Sequence, residues 1–360
     1  MSGDHPYRDL PPAAFWRRAV AGPGLACDPV IAEGAPLTPH DRIATAGSCF
    51  AQNIARHLRS SGFHFLVTET AHPIVPEAAA AAASYGVYSA RYGNIYTSLQ
   101  LLQLIERAYW HFTPAEAPWA LGGGRFADPF RPAIQPGGFA SLGEMEADRA
   151  HHLSCVRQMF ETLDVFVFTL GLTETWISTE DGAAFPICPG VAGGTFDPAR
   201  YAFRNLRVGN VTGQMTAFLA RLAEVNPAAR VILTVSPVPL VATAVPSAHV
   251  LGQTIYSKSV LRAAAQELAE DHANVRYFPS YEIVTGPHAA NRYFADDLRN
   301  VTEEGVARVM ALFLKHMTVG DGARPIASVV EQRNAPDVKA WVEVMCEEAM
   351  LDLDGVSPAI

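Results

Sequence analysis

The chain has 360 residues, 49% of them hydrophobic and 18% charged, with a formal net charge of -9. That supplies ample apolar material for a buried core, carries too little charge for a disordered chain, and opposes any role in neutralising phosphates along DNA or RNA. Five cysteines without a C-x-x-C pair argue for thiols rather than a disulfide framework, and twelve histidines without H-E-x-x-H give no metal-ligand spacing.

The N-terminus lacks the basic and apolar regions of a signal peptide, and no run of about 18 uncharged apolar residues occurs. A cytoplasmic protein without a membrane span is the expectation. Residues 1–40 are rich in Pro and Gly and read as an N-terminal extension packed on the domain, with one helical piece around Ala13–Val20. The segment 42–46 reads as a short first strand. Gly47-Ser48-Cys49-Phe50 turns sharply into a helix over 51–60, with Ile54 and Leu58 on one face. Phe63 to Val67 reads as the second strand, and Ser98 to Phe112 as a helix. Residues 113–145 are loop-like, and a polar helix follows to about Thr162, with the adjacent His151 and His152 read as a solvated helix start.

Asp164 to Leu170 carries a run of β-branched and aromatic residues, the pattern of a strand buried on both faces of a parallel sheet. The remaining elements are helix 211–225, strand 231–235, helix 255–271, strand 275–278 and helix 303–317. Residues 321–360 form a C-terminal extension with one more helix, Val338 to Met350. Strands alternate with helices about five times, which predicts a doubly wound parallel α/β sheet over 41–320.

In such a sheet, ligands sit beyond the carboxyl ends of the strands. Three polar clusters fall there. Ser48 precedes a helix whose first N–H groups are unpaired; it reads either as a nucleophile with its own N–H aimed at an oxyanion, or as an ordinary N-cap. Thr173 and Glu174 follow the most hydrophobic strand and read either as a hydroxyl donor and a carboxylate for the site, or as a strand-to-helix turn with an ordinary cap. Asp297, Arg299 and Asn300 precede the last helix, whose start is marked by Thr302 with Glu303 and Glu304. Arg91, Arg204, Arg207, Lys258, Arg292 and Arg299 lie near these edge loops as candidate contacts for a carboxylate or phosphate. A Ser257/Lys258 dyad is chemically available, but a structural role at a helix start is the plainer reading. Cys49 reads as core or wall.

Gly47-Ser48-Cys49-Phe50-Ala51 resembles the signature of the GSCFA family. Further stretches look like the same family, in order along roughly residues 7–317: Tyr7-Arg8-Asp9-Leu10, Phe15-Trp16-Arg17, 91–97 (RYGNIYT), 171–176 (GLTETW), 236–239 (SPVP) and 256–259 (YSKS). That family is similar to the SGNH/GDSL hydrolases. The resemblance implies a three-layer, flavodoxin-like, five-stranded parallel sheet with N- and C-terminal extensions, and a serine-dependent ester hydrolase or O-acyl(acetyl)transferase. Ser48 then corresponds to the nucleophile, Gly93 with Asn94 to the second block, Gly171 to Glu174 to the third, and Asp297 to Asn300 to the Asp-x-x-His block. Two departures stand out. Thr173 and Glu174 replace an oxyanion-hole asparagine and an aspartate, and Asn300 replaces the histidine base. An amide takes no proton from serine near neutral pH.

Three explanations follow: an engineered replacement that nearly preserves size, a natural pseudoenzyme, or a base supplied by His72, His249 or His288. The substrate class implied is a small acyl ester of a sugar or hydroxylated metabolite. Hydrolysis requires no metal or cofactor, whereas a transferase needs a donor such as acetyl-CoA. The alternatives are a non-catalytic binding module for an acylated ligand or glycan, and a Cys49-dependent acyltransferase. No nucleic-acid or membrane partner is expected, and a homo-oligomer is left open.

Overall fold

Val165–Leu170 decides the architecture. All six residues are buried, and their side chains alternate between two cores. Phe166 and Phe168 face one and Val165 and Val167 the other, so the strand has no solvent side. Only a strand flanked by neighbours in the plane and helices on both faces meets that demand. The computed structural model describes residues 5–31, 34–319 and 350–353.

In chain order the elements are β1 (Ile43–Gly47), α1 (Cys49–Ser60), α2 (Glu77–Ala82), α3 (Ser98–Ala108), β2 (Trp119–Ala120), β3 (Phe126–Ala127), α4 (Leu142–Thr162) and β4 (Val165–Leu170). They continue as β5 (Glu174–Ser178), β6 (Ala184–Phe185), β7 (Tyr201–Asn205), α5 (Val208–Val225), β8 (Arg230–Val235), α6 (Val250–Asp271), β9 (Val275–Tyr277), α7 (Ser280–Thr285) and α8 (Glu303–Met317), with a last short helix at Met350–Leu353. The expected helix 338–350 falls almost wholly outside the described residues.

The main sheet is parallel, in the order β1-β4-β8-β9. Side chains of α3, α4, α5 and α6 pack on one face and those of α1, α7 and α8 on the other. Each large side chain buried there contributes about 1.5–3 kcal/mol. The expected second strand differs from prediction. Residues 63–67 lie beside β1, with Ile43 N–H donating to His64 O at 2.9 Å and Leu66 N–H to Ile43 O at 2.8 Å, but they form one isolated bridge. Phe65 N–H turns back on Phe63 O at 3.0 Å, a local closure that curtails an edge pairing. The described sheet therefore has four strands where five were expected.

A second difference lies after β4. The expected turn into a helix is instead a strand, and β6-β5-β7 form a three-stranded antiparallel sheet. Trp176 packs edge-on against Phe196 and tilted against Phe203, the aromatic contacts that suit a pleated surface. The N-terminal segment runs back over α8. Leu37 N–H donates to Met317 O at 2.7 Å and Val319 N–H to Leu37 O at 2.9 Å, while Asp28 pairs with Lys315 and His316. The helical piece expected at 13–20 is two short turns, Pro12–Ala14 and Arg17–Ala21. No helix among the described residues is long and apolar enough to cross a membrane.

Candidate active site

β1 delivers Ser48. Its five residues are buried, and Gly47 has φ of +141°, where a Cβ would stand 2.5 Å from Thr169 O. Only glycine allows the two strand ends to close up so tightly. The chain then swings into α1 with Ser48 at the N-cap, but the Ser48 side chain makes no capping bond. Its Oγ is buried and has no hydrogen-bond partner among the described residues. A buried hydroxyl in that state costs roughly 1–3 kcal/mol, so the N-cap role alone does not account for it. Cys49 follows as the first residue of α1 and is half-buried.

Residues 93–96 and Gly171 close the other sides. Ile95 N–H donates to Gly47 O at 2.9 Å, and the N–H groups of Gly171 and Leu172 both donate to Tyr96 O. A Cβ on Gly171 would lie 3.1 Å from Tyr96 O and 3.4 Å from Ser48 Cβ. Gly171 thus forms the floor beside the serine. Tyr92 ties this segment to β1 by donating its hydroxyl to the Thr45 carbonyl. Gly93 has φ of +71°, the left-handed conformation that lets the loop reverse there. Asn94 is buried, and its Oδ1 accepts from Gln52 Nε2 of α1 at 3.0 Å. Ser48, Gly93, Asn94 and Gly171 are therefore gathered at one sheet edge. Lys258, itself buried, donates to Gly171 O at 2.7 Å and holds that peptide from below.

Thr173 does not serve as expected. It is fully buried, its hydroxyl donates to Asn205 Oδ1 at 2.7 Å, and its N–H donates to Ser257 Oγ at 3.1 Å. The donors assigned to an oxyanion are spent on β7 and α6. Glu174 begins β5, where Thr243 Oγ1 donates to its Oε1 at 2.6 Å and Ala244 N–H to its Oε2 at 3.1 Å. Burial pushes its carboxyl up, with those two bonds opposing. It lines a cleft of about 270 Å³ together with Leu172, Trp176 and Leu240.

Asp297 and Asn300 meet each other. Asn300 Nδ2 donates to Asp297 Oδ2 at 2.5 Å, and the N–H groups of Arg299 and Asn300 both donate to Asp297 Oδ1 at 2.9 Å. Burial raises the Asp297 carboxyl, but these donors outweigh it and leave its pKa below the ordinary value. The amide thus occupies the carboxylate as an imidazole Nδ1–H would. The pair is exposed and makes no hydrogen bond to Ser48. Of the other histidines proposed as bases, His72 and His249 accept from local backbone N–H groups, and neither reaches the serine hydroxyl.

Behind the 91–94 loop lies a polar core that the sequence did not disclose. Glu69 accepts from His152 Nδ1 at 2.7 Å, from Arg91 N–H at 2.7 Å and from Arg91 Nη1 at 3.4 Å. Arg91 and Arg131 share Asp148, and Arg131 and Arg149 share Asp128. Arg91, placed among ligand-contacting edge residues by sequence, is a buried structural cation. His152, read as solvated, is fully buried in the middle of α4. Burial, with Arg131 nearby, lowers its pKa to about 4, which outweighs Glu69. Glu69 is held at about 2, because His152, Arg131 and the Arg91 N–H override burial. Among the described residues, no group of three or more His, Cys, Asp or Glu is placed to hold a metal.

The model of the GSCFA family matches residues 42–313, more than half of the chain and all of the edge just described. No curated protein matches it.

Proposed function

We propose, from the premise that this chain belongs to the GSCFA family, that it is built as an SGNH-type serine hydrolase or O-acyltransferase acting on a small acyl ester of a sugar or hydroxylated metabolite. One observation carries the reading: Ser48 Oγ is buried, unbonded and set at a strand end against a glycine floor. A hydroxyl kept unsatisfied at a sheet's ligand edge is what a nucleophile awaiting a base and a carbonyl requires. The topology supports the superfamily: with residues 63–67 counted beside β1, the order becomes 2-1-3-4-5, that of flavodoxin-like sheets. In this reading Ser48 attacks the acyl carbonyl, its N–H and that of Gly93 meet the oxyanion, and Asp297 orients the group at position 300. Hydrolysis calls for no cofactor; transfer calls for an acyl donor such as acetyl-CoA.

With asparagine at 300 the proton on Ser48 has no acceptor among the described residues, and loss of a triad histidine is worth about a millionfold in kcat. The second reading is a binding module that keeps the pocket without the chemistry. It is favoured by the Asn300–Asp297 bond, which satisfies the loop without a base. Intact mass after a serine-directed fluorophosphonate, on this chain and on Asn300→His, separates the two. Labelling at Ser48 in Asn300→His alone supports the enzyme. No labelling in either variant leaves the binding module.

A further inference from the structure

We propose that the cleft on the β5–β7 sheet takes a medium-length, uncharged alkyl chain, the acyl tail of the ester on which Ser48 acts, so that the preferred substrate is a longer acyl ester than acetyl; this rests on the serine reading above. The cleft begins where that site ends. Leu172 follows Gly171, whose Cβ position would lie 3.4 Å from Ser48 Cβ, and packs with Tyr96 and Leu240. Leu172 and Leu240 also line the cleft, so an apolar path runs from the serine edge into it. Trp176, Val191 and Phe203 continue the wall.

The cleft's chemistry selects against other occupants. Among the described residues no Lys, Arg or His lines it, so none of them meets a carboxylate or phosphate there. The one carboxylate among the described lining residues is Glu174, whose two oxygens are aimed at Thr243 and Ala244, partners on the cleft's own wall. What remains is apolar surface in a space of about 270 Å³, far more than one methyl group fills. Burial of each methylene strengthens binding about fourfold.

Calorimetry on this chain with an alcohol, which carries no ester to cleave, tests the cleft directly. Octan-1-ol is expected to bind saturably and ethanol not, and Ala242→Trp, a substitution at an exposed lining residue, is expected to abolish the octan-1-ol heat. In Asn300→His, kcat/KM for the p-nitrophenyl ester of octanoate is expected to exceed that of acetate by at least about a hundredfold. Absence of saturable octan-1-ol binding, binding unchanged in Ala242→Trp, displacement by glucose, or a preference for the acetyl ester would overturn the proposal. Fluorophosphonate labelling decides the serine chemistry separately.

Discussion

Two buried polar regions lie on either side of the 91–94 loop, and they are built on opposite rules. Around Glu69 and Arg91, carboxylates and guanidiniums share partners until each carboxylate is multiply bonded. At the Ser48 edge, two hydroxyls, Ser48 Oγ and Thr169 Oγ1, are taken out of water and left without a partner among the described residues. Burial of a charge is tolerated only when it is paired, and burial of a hydroxyl without a partner is a standing cost. The first region spends its carboxylates on holding the loop, leaving only His152 Nε2 and Arg149 Nε unmatched among its described members, and the second keeps the Ser48 hydroxyl in reserve beside that loop.

That contrast can be broken from either side. The largest effect is expected from Glu69→Gln, which strips the charge facing Arg91 and His152; about 3–5 kcal/mol of stability should be lost, read by urea denaturation. Loss below about 1 kcal/mol would mean the network is slack. Acid attacks the same region. His152 is lowered to about 4 from 6.5, so the unfolded chain takes up its proton first as pH falls. Glu69, at about 2 from 4.5, adds the same sign further down. Stability should be fully present above pH 6.5 and decline by roughly 3 kcal/mol by pH 4 through His152 alone. A denaturation series across that range that stays flat for the unmodified chain would show the histidine charged in the fold.

Smaller effects are expected at the serine edge. Ser48→Ala removes an unsatisfied hydroxyl and should stabilise by about 1 kcal/mol, and placed in Asn300→His it should end the labelling expected there. A comparable loss would reveal a partner for the hydroxyl in solution. Smallest is Asn300→His, which changes an exposed side chain and should move stability by less than about 0.5 kcal/mol even as it restores reactivity.

The strands read most easily from sequence were those with no solvent face. Val165–Leu170 and Arg230–Val235 declare themselves by composition, and Ser48 followed as the residue past the end of β1. The Glu69 network stayed hidden because Asp148, Arg149 and His152 of α4 find their partners at 69, 91, 128 and 131, and pairing between a helix and distant loops leaves no local trace. Asp128 and Arg131 are three apart in sequence, yet nothing local marks them as interior. The three-stranded sheet was missed for a different reason. β6 is two residues long, too short to alternate visibly, and Glu174 looked like a helix start until its pairing with Asn205 placed it in a strand. Thr173 was misassigned because spacing gives the residue but not the direction of its hydroxyl, which Asn205 captures.

The clasp of Leu37 between Met317 and Val319 has a consequence for how the chain is made. Its two hydrogen bonds join positions about 280 residues apart, and Leu37 belongs to the same core as Phe50, Phe278 and Phe313. During synthesis from the N-terminus, that core waits for the last helix to emerge, while the strap travels ahead of it with its apolar residues exposed. At the ribosome's pace of roughly 5–20 residues per second, the wait lasts tens of seconds. The nascent chain therefore passes through a long window in which one face of the sheet lacks its cover, and exposed apolar surface of that kind is open to aggregation until α8 arrives.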